Sequence, residues 1–252
     1  MFSRQRRTVF GEAADAYDRL RPSYPTELVD DVSALAAPGP VLEVGAGTGK
    51  ATRLFARPGV DLTCIEPDER MAAVLRRNVP GARVVVTSFE DWQPDQGYGL
   101  LYSAQAWHWV DVDRRADLAW AALAPGGLFA AFWNAFLVAD HALHAALAEA
   151  DARHDLTGQT SHRLPFTGRA DPDWSELRLD AYTGRQTRTY ESTMDYTGAR
   201  YRDYLLTTSL YRVLDPAAAT AALDDAVAVI EEHGGTITFQ VRTDVALARR
   251  PG

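Results

Sequence analysis

Residues 43–51 read EVGAGTGKA, a run whose residue types can hold a ligand in several ways. Gly45, Gly47 and Gly49 let the backbone come close to a ligand and take conformations closed to other residues. A helix opening just after them aims free backbone N–H groups at an anion. Glu43 sets a carboxylate inside the apolar stretch VLEV, which is costly unless something pairs with it. A nucleoside triphosphate needs glycine, four residues, then Gly-Lys-Ser/Thr. Gly49-Lys50 fit the end of that pattern, but Val44 stands at its first glycine and Ala51 at its magnesium-binding hydroxyl. A dinucleotide needs Gly-x-Gly-x-x-Gly. Here the third glycine comes one residue early, at Gly49, and Lys50 takes its slot. A pyrophosphate would also be repelled by Glu43. Glu66, ending VDLTCIE, suits ribose hydroxyls in more than one class of adenosine-binding fold and does not discriminate. An adenosine ligand with an ammonium group and no phosphate suits the whole set. S-adenosylmethionine has that character.

The elements that must position these residues alternate regularly. The pattern predicts a helix over 26–37 stopped by Pro38-Gly39-Pro40, then strand 41–44, helix 49–56, strand 60–66 and helix 68–78. Strands follow at 83–87 and 98–103, then helix 113–124, closed by Pro125-Gly126-Gly127, and strand 128–134. Such alternation means a parallel sheet wound with right-handed crossovers. Beyond 134 the pattern changes. Residues 140–154 read as helix, 155–175 as loop, 177–183 as a strand and 193–233 as mostly helical with a break at Asp215-Pro216. The stretch 236–242 reads as a last strand. Late strands without alternation predict an antiparallel addition at one sheet edge.

Bulk properties exclude several classes. The 252 residues suit one large α/β domain, and 46% hydrophobic residues suffice for a core. A net charge of −8 argues against a nucleic-acid partner. Cys64 is the single cysteine, so no internal disulfide is expected, which fits a cytoplasmic location. Arg4, Arg6 and Arg7 precede no apolar run, and Glu12, Asp15 and Asp18 argue against a transit peptide. The most apolar stretch, 128–139, is too short to span a bilayer and contains Asn134, so no membrane association is expected. Lys50 is the only lysine among 26 Lys and Arg, a bias that reads as genome composition.

Five segments in order carry a family resemblance. VLEVGAGTGKAT resembles motif I of class I S-adenosylmethionine-dependent methyltransferases, and IEPDERM resembles the second motif. VTSFEDW is similar to the loop after the third strand. SAQAWHWVD resembles the segment after strand four in the trans-aconitate methyltransferase-like (methyltransferase type 11) subgroup, and FGEAADAYDRLRPSYP that subgroup's N-terminal lid. The resemblance implies a Rossmann-like, doubly wound seven-stranded sheet with a final antiparallel strand and helical cap insertions. It divides a single domain, 1–252, into a lid (1–25), a cofactor-binding core (26–134), cap segments (135–175 and 190–215) and a last strand (234–245).

It also implies roles. S-adenosyl-L-methionine is the expected cofactor, held by the turn Gly45, Ala46, Gly47, Thr48 and Gly49, with Glu43 beneath it. Glu66 is expected on the ribose, beside Pro67. Met71, Ser88, Phe89 and Gln105 complete the cofactor set; many relatives have Asp where this chain has Ser88, to accept from the adenine amino group. Tyr17 and Arg21 share a helical face in the lid, and Arg21 is expected to meet the methionine carboxylate. His108 is the expected catalytic residue, as general base or as hydrogen-bond partner of the acceptor. With Trp109, Trp133 and Tyr201 it is expected on the substrate side. His141 and His144 lie three residues apart, but no carboxylate–histidine set completes a metal site, so no metal is expected.

The expected reaction is methyl transfer to a small-molecule acceptor, at a carboxylate or hydroxyl oxygen. Nitrogen or carbon acceptors, a nicotinamide-dependent oxidoreductase and a cofactor-binding scaffold without catalysis are the alternatives. A base is needed only if the acceptor must lose a proton. Oligomeric state cannot be read from the sequence.

Overall fold

A computed structural model of the chain describes residues 14–157 and 174–252. The part of the lid motif before Ala14, the Arg4, Arg6 and Arg7 group, and most of the predicted loop 155–175 lie outside the described residues. Seven strands form one mixed sheet in the order β3-β2-β1-β4-β5-β7-β6. They are β1 (Val41–Val44), β2 (Leu62–Ile65), β3 (Arg83–Val85), β4 (Tyr98–Ala104), β5 (Leu123–Val138), β6 (Thr183–Thr197) and β7 (Thr236–Arg249). Strands β1 to β5 pair in parallel, and β7 inserts antiparallel between β5 and β6. The sheet order turns at β1, with β2 on one side and β4 on the other, and a wound sheet opens its ligand crevice at such a point.

Helices cover the sheet. They are α1 (Ala14–Leu20), α2 (Thr26–Leu35), α3 (Thr52–Phe55), α4 (Glu69–Asn78), α5 (Arg115–Ala122), α6 (His141–Arg153), α7 (Trp174–Leu177), α8 (Gly198–Leu206), α9 (Ser209–Val213) and α10 (Pro216–Glu232). None is long and apolar enough to cross a membrane. Local chemistry sets several starts: Asp68, Asp140 and Asp215 each accept backbone N–H bonds at the head of α4, α6 and α10. Pro216 then takes the first position of α10, where no N–H is needed. Two core layers flank β1, β4 and β5, and a third packs α6, α8 and α10 against the far ends of β5, β6 and β7.

The later elements correct the sequence reading. Residues 177–183 are not a strand: α7 ends at Leu177, and β6 begins only at Thr183. β6 runs through Thr197, so the predicted helical region from 193 and the predicted cap from 190 both begin inside a strand. Its sequence, TGRQTRTYESTMDYT, hides it. The strand sits at the sheet edge with one neighbour and is mostly exposed, so no apolar alternation marks it. The last strand likewise continues to Arg249, because its whole length pairs between β5 and β6.

Candidate active site

The chain between β1 and α3 makes a tight turn. The N–H groups of Gly45 and Ala46 both donate to the Ile65 carbonyl, at 2.9 and 3.1 Å, which ties the turn to the end of β2. Gly45, Gly47 and Gly49 have φ of +73°, +57° and +88°, the left-handed region that side chains disfavour. A Cβ on Gly45 would lie 2.4 Å from that of Ala106, so this glycine also lets the turns after β1 and β4 approach each other. Gly49 serves packing instead. It is absent from the cavity wall, and a Cβ there would lie 2.6 Å from Leu75 Cδ1 of α4. The predicted helix 49–56 shrinks to the single turn Thr52–Phe55, which leaves little helix dipole to hold an anion.

Parallel register places Glu43 between Cys64 of β2 and Tyr102 of β4. Cross-strand partners share a face, so three side chains meet below the glycine turn. Glu43 Oε2 accepts from Thr52 Oγ1 at 2.5 Å and from Tyr102 Oη at 2.8 Å, with Cys64 Sγ at 3.8 Å. Among the described residues no hydrogen bond falls on Oε1. Burial raises the Glu43 carboxyl to about 7 despite these bonds, because the charged form has lost its water. Glu66 is held differently. Its Oε2 accepts from Gly47 N at 2.8 Å and its Oε1 from Asp68 N at 2.9 Å. It therefore fastens the glycine turn to the start of α4, a role the sequence did not suggest, while lining the cavity.

These groups open into a cavity of about 400 Å³. Ala46, Gly47, Thr48 and Pro67 form its floor, and Met71 and Phe89 give an apolar wall. Phe89 is itself packed by Trp92 and Trp107, at ring separations of 6.2 Å each. Ser88 is not on the wall: its hydroxyl donates to Asp91 Oδ2 at 2.7 Å and caps the local turn. Glu90, two residues on, lines the cavity and accepts from Asp111 N at 2.9 Å.

Helix α1 crosses the opening. Tyr17 lines the cavity and packs with Met71 and Val74. Arg21 lines it too, and its Nε and Nη2 donate to Oγ1 and the carbonyl of Thr207, at 3.0 Å each. Its guanidinium lies between the rings of Tyr17 and Tyr204, at 5.1 and 5.0 Å. Arg21, expected as a carboxylate ligand, thus also straps α1 to the loop after α8.

On the other side β4 is followed by Gln105, whose φ of +56° is rare for a residue other than glycine. Its side chain donates to the Asn134 carbonyl at 3.1 Å. A single 3₁₀ turn then presents His108 and Trp109 to the cavity, ring centroids 4.8 Å apart. His108 is exposed at the cavity mouth, yet the cleft wall and then the Arg115 charge lower its imidazole to about 4. Its solvent-reaching edge moderates that shift, so the direction carries the chemistry: the ring is neutral at neutral pH.

Two expected substrate residues face away. On β5 alternate side chains point to opposite faces. Trp133 joins the core cluster of Phe129 and Ala131, and Asn134 and Phe136 face the cavity instead. Tyr201 is fully buried among Tyr196, Tyr204 and Phe239, and Tyr204, one turn along α8, lines the cavity in its place. Tyr24, Lys50, Thr208 and Ser209 also line it and were not expected. Asn134 carried a signal, as a polar residue within the most apolar stretch of the chain. His141 and His144 lie on α6, away from the cavity wall.

Residues 41–127 match the family model of the methyltransferase domain. Over 126 residues the chain is 39% identical to an uncharacterised methyltransferase of Mycobacterium tuberculosis, covering 50% of this chain and 51% of that one. Over 121 residues it is 32% identical to trans-aconitate 2-methyltransferase of Delftia acidovorans, covering 46% and 44%. The chain thus spans about half the length of the curated relatives it matches. A candidate type II methyltransferase from Anaeromyxobacter dehalogenans shares the fold with a TM-score of 0.65 at 20% identity, over 92% of this chain and 97% of that one. A phosphoethanolamine N-methyltransferase of Haemonchus contortus, solved with S-adenosylhomocysteine, shares it with a TM-score of 0.54 at 11% identity, over 96% and 58%. The sheet has the fold of these methyltransferase structures, and the glycine turn lies within the segment that matches the methyltransferase-domain model. Residues 41–127 are thus similar to a methyltransferase domain.

Proposed function

We propose that this chain is an enzyme transferring a methyl group from S-adenosylmethionine to a small-molecule acceptor at an oxygen, a carboxylate or a hydroxyl. One observation carries the reading: a single cavity joins the carboxylate-backed glycine turn to a second wall of neutral polar and aromatic groups, Asn134, Phe136, Tyr204, Thr208 and Ser209. The first half fits the cofactor. Glu43 Oε1 suits an ammonium group, Glu66 suits ribose hydroxyls, and Met71 and Phe89 offer apolar surface to a purine. The cofactor supplies an already activated sulfonium methyl.

The chain's own task is then positioning and exclusion of water. Helix α1, strapped to α8 by Arg21, closes one side. Neutral His108 and Asn134 orient the acceptor by hydrogen bonds. A carboxylate needs no base, and a hydroxyl can pass its proton to His108 only weakly at this basicity. The resemblance to trans-aconitate 2-methyltransferase supports an oxygen acceptor, and the acidic chain supports a small metabolite over nucleic acid, in a cytoplasmic setting. Calorimetric titration tests the cofactor: S-adenosylhomocysteine should bind and NAD should not. A screen of small carboxylates, phenols and amines with methyl-labelled cofactor tests the acceptor. Label transfer to amines alone would overturn the oxygen assignment.

A further inference from the structure

We propose that Lys50, and not Arg21, is the cation that binds the carboxylate of the cofactor's methionine moiety. The inference rests on the cofactor reading above. A zwitterionic ligand in this cavity brings one carboxylate, and three features of the structure could receive it. The helix after the glycine turn is a single turn, so its N-terminus offers little. Arg21 lines the cavity but gives Nε and Nη2 to Thr207 and is stacked between two tyrosine rings. Lys50 lines the same cavity, directly after the turn, and among the described residues it makes no hydrogen bond or ion pair.

The charges around Lys50 support this. Asp18 is the acidic neighbour, but its carboxylate already pairs with Arg53. Arg53 and Arg21 add positive charge. Partial burial first, and then these two cations, pull the Lys50 ammonium below its usual pKa against the opposing charge of Asp18. An incoming carboxylate opposes that shift. The residue type fits as well: a lysine ammonium is a compact charge on a flexible stem that can reach a carboxylate from the edge of the turn.

The test compares S-adenosylhomocysteine with its decarboxylated analogue, which lacks only the carboxylate. Binding of S-adenosylhomocysteine to the wild type comes first: no binding removes the cofactor reading itself. Given binding, Lys50→Gln should weaken S-adenosylhomocysteine about 10- to 100-fold, the range for a hydrogen bond to a charged group. It should leave the decarboxylated analogue within about twofold, so that the two ligands bind alike. Lys50→Arg should recover only part of the loss. Equal weakening of both ligands, no weakening of either, or closure of the gap by Arg21→Gln instead would overturn the assignment. Because Lys50 is the only lysine, acetylation offers a readout in the unmutated protein. S-adenosylhomocysteine should shield Lys50 from acetic anhydride, measured by peptide mass, and the decarboxylated analogue should not. Shielding by both would count against the proposal.

Discussion

The two halves of the cavity are held by different means. On the glycine-turn side, contacts run between neighbouring strands and loops, and backbone N–H groups supply the donors: Gly45 and Ala46 to the Ile65 carbonyl, Gly47 and Asp68 to the Glu66 carboxylate. On the cap side, contacts join residues far apart in sequence. Arg21 reaches Thr207 across 186 positions, Tyr196 Oη reaches the Leu20 carbonyl across 176, and Asn134 is oriented by Thr243 and by the Ser23 carbonyl. Backbone contacts fix one geometry whatever the neighbouring side chains are, which suits a cofactor that does not vary. Side-chain contacts can be exchanged singly, which suits an acceptor that differs between relatives.

The largest expected effect falls on the backbone-held half. Glu66→Ala removes the acceptor of two backbone N–H groups as well as the proposed ribose partner. Losing a hydrogen bond to a charged group costs about 1.5–3 kcal/mol, and here more than one is lost. Cofactor affinity should fall at least about 100-fold and the melting temperature of the ligand-free protein should drop. A variant that loses affinity with no change in melting would mean that Glu66 serves the ligand alone.

The same contrast decides what could be read from the sequence. That the glycine turn, Glu43 and Glu66 come together was readable because it follows from local spacing. Their partners were not: that Glu43 meets Thr52 and Tyr102 depends on strand order, and that Glu66 binds Gly47 N depends on the turn's exact path. Gly49 was misplaced because a glycine needed for α4 packing and one needed for a ligand look alike in sequence. Trp133 was misplaced by a single residue, since one step along a strand moves a side chain to the other face. Tyr201 was preferred to Tyr204 although both lie on α8, because nothing local says which turn of a buried helix faces a cavity. β6 was missed because an exposed edge strand lacks the apolar alternation that marks its neighbours.

A smaller effect sharpens the comparison through pH. The Glu43 carboxyl is raised from 4.5 to about 7 by burial. In the unfolded chain it ionises near 4.5, so between about pH 4.5 and 7 the folded state holds the extra proton. Stability should therefore fall as pH rises through that window, by about 3 kcal/mol in all, and stay level above it. Glu43→Gln should lack this fall. A cationic ligand favours the ionised carboxylate, so cofactor affinity should rise with pH, up to tenfold per unit below 7, and level off above. Titrations across this range check it. A flat profile in the wild type would mean that the ammonium is received elsewhere.

The smallest effect is expected at His108, on the cap side. Its lowered pKa keeps the ring neutral from about pH 6 to 8, so it can accept or donate one hydrogen bond but is a weak base. With cofactor saturating, Glu43 is held ionised by its ligand and no longer titrates in that range. Turnover at saturating acceptor should then be flat from pH 6 to 8. His108→Gln keeps a hydrogen bond and should change kcat by less than about threefold. His108→Ala should raise the acceptor KM by about tenfold, the worth of one hydrogen bond, with kcat little altered. The opposite pattern has a distinct signature. A rise in kcat near pH 6.5 that vanishes in His108→Gln, with kcat down by 10² or more, would make His108 a general base. It would also make the acceptor a group that must lose a proton, and so a hydroxyl in place of a carboxylate.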